Sequence, residues 1–220
     1  MQPSEEQIKK NVIDQLRWDS RVEISNLKVD VSGGEVKVSG TIPTWRMREI
    51  VNMDVLDVAG VTYLVNNLKV QSGSFVTLPA DEQIKKAIEE MLNRDPDINA
   101  ENIIITVNQG NLSLSGTVKA VWQKLKTEEI ASSVNGVLQV QNKLAVAPTG
   151  TYADQAISED IMAAFTRNIH IDAQDVSLKV ENQIVSMSGK VPNWKAYYAA
   201  RDIAVYTRGV IDVQNNLWVQ

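Results

Sequence analysis

Residues 60–70, 136–146 and 209–219 read GVTYLVNNLKV, GVLQVQNKLAV and GVIDVQNNLWV. A phrase that returns three times makes an internal repeat the first matter to settle. Upstream of each phrase stands another glycine: Gly40, Gly116 and Gly189 open GTIPTW, GTVKAVW and GKVPNW. These glycines are 76 and 73 residues apart, and each precedes Gly60, Gly136 or Gly209 by the same 20 residues. A constant interval implies one local structure built three times, over residues 1–72, 79–147 and 152–220. The stretches at 71–80 and 147–153 are short, rich in small residues, and have the character of linkers with limited slack.

Inside each unit the apolar period changes in the same order. Ile8, Val12 and Leu16, then Ile84, Ile88 and Leu92, then Ile157, Ile161 and Phe165 recur every four residues and predict a helix with one core-facing stripe. The period then falls to two at Leu27, Val29 and Val31, at Ile103, Ile105 and Val107, and at Val176, Leu178 and Val180, which predicts a strand with one buried face. The polar turns SGGE, NQGN and VENQ lead into a second alternating strand through Val36 and Val38, Leu112 and Leu114, and Val185 and Met187, so each pair of strands reads as a hairpin.

A second helix is expected after Gly40, Gly116 and Gly189, with Pro43 and Pro192 in its first turn in two copies. Its small or apolar positions are Val51, Val55 and Val58; Thr127, Ala131 and Val134; and Ala200, Ala204 and Thr207. Gly60, Gly136 and Gly209 are read as the left-handed stops of that helix. The quoted phrase is then a third strand, on which Asn66, Asn142 and Asn215 share a face with the aliphatics. These asparagines are expected to be buried, and a buried amide requires partners, here main-chain groups. The fold class is α+β: three tandem α-β-β-α-β domains, each with two helices packed on one face of a small three-stranded sheet.

Composition narrows the chemistry. The chain of 220 residues is 44% hydrophobic and 22% charged, ordinary for a folded protein, and carries a net charge of −5. That sign argues against nucleic acid as a partner and requires any membrane contact to work through apolar insertion or a local basic patch. Without cysteine, and with His170 as the single histidine, no thiolate or multi-histidine site exists. No cofactor or metal is called for. No run of about 18 apolar residues marks a membrane span. The first residues, MQPSEEQIKK, lack the apolar core of a secretory signal. Met1 as a native start implies cytoplasm, and a processed chain implies periplasm.

The helix-strand order, the two glycines and the phrase G-V-x-x-V-x-N-x-L resemble the BON domain over essentially the whole chain, as three copies. The middle copy carries Trp122 six residues past its glycine, where Trp45 and Trp194 lie five past theirs. The resemblance implies a non-enzymatic, stress-related protein that contacts phospholipid membranes in envelope maintenance or osmotic stress. Its alternative is a protein-binding holdase or scaffold with chaperone-like activity.

One surface repeats an aromatic beside cations: Trp45, Arg46, Met47 and Arg48; Trp122, Lys124 and Lys126; and Trp194, Lys195, Tyr197 and Tyr198, each set at the start of the second helix. It is the candidate membrane or partner contact. The competing role for these tryptophans is to staple the helix start to the sheet while the charges stay solvated. His170 is read as a solvated loop residue. The acidic pairs Asp95 with Asp97 and Glu128 with Glu129 are read as surface.

Overall fold

The computed structural model describes residues 3–71 and 79–219, so residues 72–78 of the first expected linker lie outside the described part. The chain packs as two compact units. One combines copy one with 79–95, 105–114 and 128–142 of copy two, and the other combines the remainder of copy two with copy three.

In copy one, α1 (Glu5–Trp18) is followed by the hairpin β1 (Leu27–Ser32) and β2 (Glu35–Ile42), then α2 (Met47–Leu56) and β3 (Tyr63–Val70). The hairpin is antiparallel, with Val29 opposite Val38, and β3 runs parallel to β2, so β2 is the middle strand. Copy three repeats this order as α5 (Asp154–Arg167), β8 (Val176–Glu181), β9 (Ile184–Val191), α6 (Trp194–Tyr206) and β10 (Asp212–Val219), with β9 in the middle. Copy two has α3 (Asp81–Arg94), β4 (Ile103–Asn108), β5 (Asn111–Val118) and α4 (Val121–Ser132). Its third strand is interrupted at Lys143 and Leu144, leaving β6 (Gln139–Asn142) and β7 (Ala145–Val146), both parallel to β5. The fold is α+β, as the periods predict.

The predicted helix stripes form the core. Val12, Leu16, Ile88, Leu92, Ile161 and Phe165 are wholly buried, with Val36, Val38, Leu114, Val185 and Met187 from the middle strands. The marked glycine of each middle strand has φ of +133°, +109° and +137°. A Cβ at Gly40, Gly116 or Gly189 would lie 2.0–2.1 Å from the carbonyl oxygen of Asn26, Asn102 or Asp175, so only glycine lets the chain entering the first strand come this close.

Three local expectations need correction. Pro43 and Pro192 are not in helical first turns: they follow Ile42 and Val191, the last residues of β2 and β9. Lacking an N–H, proline cannot extend the strand ladder, so it stops the strand. Asn193, one residue later, caps α6 by accepting from Ala196 N at 2.9 Å. Gly60, Gly136 and Gly209 lie beyond the helix ends, at the third position of four-residue turns closed by Val61 N to Val58 O, Val137 N to Val134 O, and Val210 N to Thr207 O. With φ of about +90° they meet the requirement of a type II turn. The third hairpin turn is centred one residue later than VENQ suggests, on Asn182 and Gln183, both at positive φ.

A link absent from the sequence-based expectations joins helix to hairpin in every copy. Thirty-five residues before each marked glycine stands an acid in the first turn of the first helix: Glu5, Asp81 and Asp154. Glu5 accepts from Gly33 N at 2.6 Å; Asp81 accepts from Gln109 N and Gly110 N at 2.7 and 3.0 Å; Asp154 accepts from Asn182 N and Gln183 N at 2.8 Å each. The carboxylate thus holds in place the two left-handed residues that a tight hairpin turn requires, even where the sequence supplies Gln109, Asn182 or Gln183 in place of glycine. Asp154→Asn is expected to destabilise its copy by about 1–2 kcal/mol, because one charge-assisted bond is replaced by a repelled N–H pair. Gln183→Gly is expected to stabilise it by about 0.5–1 kcal/mol, because the left-handed strain is removed. Chemical denaturation of the two variants beside the parent checks both signs.

Candidate functional site

The aromatic and basic helix starts are half-buried, with Lys195 exposed. In copy one Trp45 and Arg46 lie in the turn before α2, and the helix begins at Met47. The Arg48 guanidinium stacks 4.8 Å from the Trp45 ring centroid and donates to the carbonyls of Leu68 and Asn66, at 3.1 Å for the latter. Burial lowers its pKa from the usual arginine value. Arg46 pairs with Glu129, and its N–H donates to Ser132 O at 3.1 Å. This helix start is therefore seated on the C-terminal end of α4.

The same element is engaged in copy two. Val121 is buried within the hydrophobic cluster of copy three, which includes Val205, and Trp122 and Leu125 pack against that cluster. Ser132, which accepts from Arg46, and Val205, one member of the cluster around Val121, both stand sixteen residues past their marked glycines. Lys126 pairs with Asp97 at 2.6 Å, and Lys124 is half-buried. In copy three the rings of Trp194, Tyr197 and Tyr198 form a cluster with centroids 5.0–6.2 Å apart, with Lys195 exposed beside it.

The strand asparagines face the second helix, as the alternation predicts, but they are half-buried, not buried. Asn66 accepts from Leu68 N at 2.9 Å and donates to Asn52 Oδ1 at 2.7 Å and Arg48 O at 3.3 Å. Asn142 donates to Glu128 at 3.0 Å. Asn52 and Glu128 both stand twelve residues past the marked glycine, where copy three has Arg201, a side chain without an acceptor. Accordingly, Asn215 accepts from Leu217 N at 3.2 Å while its Nδ2 is buried without a hydrogen-bond partner.

The BON domain model matches residues 4–72, 80–148 and 153–220. The chain belongs to the BON domain family. It is 26% identical to the Osmotically-inducible protein Y of Escherichia coli (strain K12) over 143 residues, spanning 62% of this chain and 71% of that protein. It is 30% identical to the Outer membrane lipoprotein DolP of Haemophilus influenzae over 135 residues, spanning 59% of this chain and 69% of that protein. Among solved structures, the C-terminal domain of CdsD, a structural protein of the type III secretion system of Chlamydia trachomatis, matches over 96% of both chains at 12% identity and a TM-score of 0.27.

Within the BON frame the most unusual chemical group is one that the repeat pattern did not single out. Asp54 of α2 is 8% exposed and Asp19, the C-cap of α1, is 6% exposed, and Asp54 Oδ2 has no hydrogen-bond partner. Arg21 binds Asp19 through its Nε at 2.9 and 3.0 Å and through its main-chain N–H at 2.9 Å, which holds the Asp19 pKa down at about 2. Burial, and then the charge of Asp19, push Asp54 up to about 6. The signal was present in the repeat: the position fourteen past the marked glycine is Asp54 in BON copy one but Ile130 and Ile203 in the others.

The remaining polar candidates have local roles. His170 is exposed, its N–H donating to Asn168 at 2.9 Å; Asp97 holds Lys126, Glu128 holds Asn142 and Glu129 holds Arg46. Among the described residues no group of three or more acidic or histidine side chains is arranged to hold a metal, and no helix is long and apolar enough to cross a membrane.

The asparagine geometry makes a paired expectation. Asn66→Ala strands Leu68 N and Asn52 and should cost copy one about 1–3 kcal/mol, whereas Arg201→Asn supplies Asn215 with its missing acceptor and should stabilise copy three by about 1 kcal/mol. Urea unfolding of the two variants measures both.

Proposed function

We propose that this chain is a non-enzymatic BON-repeat binding protein of the cell envelope, active in osmotic stress, whose third copy touches phospholipid surfaces. The names of its relatives, one osmotically inducible and one an outer membrane lipoprotein, support the setting. The observation that carries the lipid reading is a patch on copy three. Ile169, at the tip of the loop after α5, is 92% exposed, and Trp218 on β10 is 56% exposed. Lys190 lies between them: its Nζ is 5.1 Å from the Trp218 ring centroid, and it lines a shallow hollow together with Ile169, His170 and Pro192. Apolar and aromatic side chains that protrude beside a cation suit the boundary between headgroups and acyl chains. A net charge of −5 opposes attraction to anionic lipid, so apolar insertion at this patch must supply the binding.

The helix-start residues enter this reading through copy three, where Lys195 is exposed beside the Trp194, Tyr197 and Tyr198 rings. Of those in copies one and two, Arg46 and Trp122 contact the following copy, while Arg48 and Lys126 are held by groups of their own copy. Single weak contacts of this kind gain strength when several chains or copies engage one surface.

The test is co-sedimentation of the full chain with vesicles of phosphatidylcholine and of phosphatidylcholine with phosphatidylglycerol. The parent is expected to partition onto vesicles, and Ile169→Asp with Trp218→Ala to lower the partition coefficient at least about tenfold at unchanged circular dichroism, the effect of losing about 1.4 kcal/mol. Trp122→Ala is expected to lower the melting temperature instead. A parent chain that ignores both vesicle types but suppresses aggregation of an unfolding protein would replace the lipid reading with the holdase. The exposed Trp18, Tyr63 and Ile104, spread over copies one and two, would serve that role.

A further inference from the structure

We propose that the carboxyl pair Asp19 and Asp54 is a proton-operated latch between the two helices of the first copy: closed while one proton is held between the carboxyls, loosened when both are charged. The geometry is that of an interface built around a charge conflict. Asp54 projects from α2 toward the end of α1, where Asp19 and Gln15 face it, and both carboxyls are over nine-tenths buried. Arg21 is committed to Asp19 through the side-chain and main-chain bonds given above, so its cation neutralises one carboxylate of the two. Asp54 Oδ2 is left without a donor.

Among the described residues Arg21 is the cation that acts on Asp54. α2 packs on β2 and β3, whose Val36, Val38 and Leu68 are buried and apolar, and Asn66 of β3 bonds to Asn52 of α2. On α2 itself, Glu49 and Asp57 are exposed, and Arg48 is turned to the carbonyls of Asn66 and Leu68. A second buried negative charge at this place therefore faces one that is already there. The other copies place Ile130 and Ile203 at the equivalent position and have no such conflict, so the device belongs to copy one.

The direction of the response follows from the raised value of about 6 at Asp54. The folded copy binds this proton more tightly than the unfolded chain, in which the carboxyl has its ordinary value near 4. The associated stability is complete below that ordinary value and is lost as pH rises through about 6. Asp19, held at about 2, acts in the opposite sense and only in stronger acid, as pH falls from about 4. Between pH 5 and 7 only Asp54 of the pair changes charge. A loosened α1 and α2 would expose their shared apolar face, Val12, Leu16, Val51 and Val55, without disturbing copies two and three.

The experiment is hydrogen exchange of the full chain at residue resolution at pH 5 and pH 7, with protection factors referred to intrinsic exchange at each pH. In the parent, the most protected amides of 5–18 and 47–56 are expected to lose about tenfold in protection from pH 5 to pH 7, the span of that titration falling in the window. Those of 81–94 and 154–167 serve as internal references and are expected to keep theirs. Asp54→Asn should abolish the loss, and Asp54→Ile, the residue of the sister copies, should abolish it and raise protection at pH 7. A parent whose first copy is equally protected at both pH values overturns the latch. So does an equal loss in the Asp54→Asn and Asp54→Ile variants.

Discussion

Each of the three sheets depends on its middle strand, and each middle strand depends on the absence of one methyl group. At Gly40, Gly116 and Gly189 a side chain would need the space already held by a carbonyl oxygen of the chain entering the first strand. That contact sets where the first strand begins relative to the second, and hence the hairpin register and the place of the turn. The turn is then reached by an acid from the first helix, which closes the layer of helices over the sheet. A second glycine, in the type II turn after the second helix, clears room for the start of the first: a Cβ at Gly136 would meet Ile84 at 2.7 Å, and one at Gly209 would meet Tyr152 at 2.5 Å. The two glycines, spaced by twenty residues, are thus two steric conditions on one packed unit.

Given that frame, the copies diverge where one position can serve different partners. Six residues past the marked glycine, Arg46 reaches Glu129 and Ser132 by charge and hydrogen bond, while Trp122 uses apolar area against the third copy's cluster. Twelve past, Asn52 and Glu128 accept from the strand asparagine and Arg201 does not. Fourteen past, an aspartate replaces isoleucine and turns an ordinary helix contact into a titrating one. Duplication copies the steric conditions, which tolerate no change, and leaves the helix surfaces free to specialise.

This division also explains how much could be read in the sequence. Periodicities of four and two located the first helix and the hairpin strands of each copy, because burial of one face imposes them on the residues themselves: Ile8, Val12 and Leu16 are buried as their spacing requires. The prolines were misplaced by a few residues because Pro43 and Pro192 stop a strand just before the point where they would start a helix, and the sequence shows both options alike. The half-burial of the asparagines, and the engagement of Trp45 and Trp122 with the protein, depend on where a helix edge or a neighbouring copy falls. No period within one unit reports that. An aromatic beside cations at a helix start has the same composition whether it meets lipid or the next copy.

Asp54 stands outside the repeat for the converse reason. A search for agreement among copies rewards positions that repeat, and a group that acts in one copy alone is by construction a position that does not. Disagreement among the copies marks such a group: half-buried Ile130 and Ile203 stand where Asp54 is buried, so the aspartate is retained against a desolvation penalty. Buried charge conflicts of this kind persist when the surrounding structure over-determines them. In copy one it does, since α1 is tied to the hairpin turn by Glu5 and α2 to the edge strand by Arg48 and Asn66. The ties lie away from the carboxyls: Glu5 stands at the start of α1 whereas Asp19 caps its other end, and Arg48 stands in the first turn of α2 whereas Asp54 stands near its last residue.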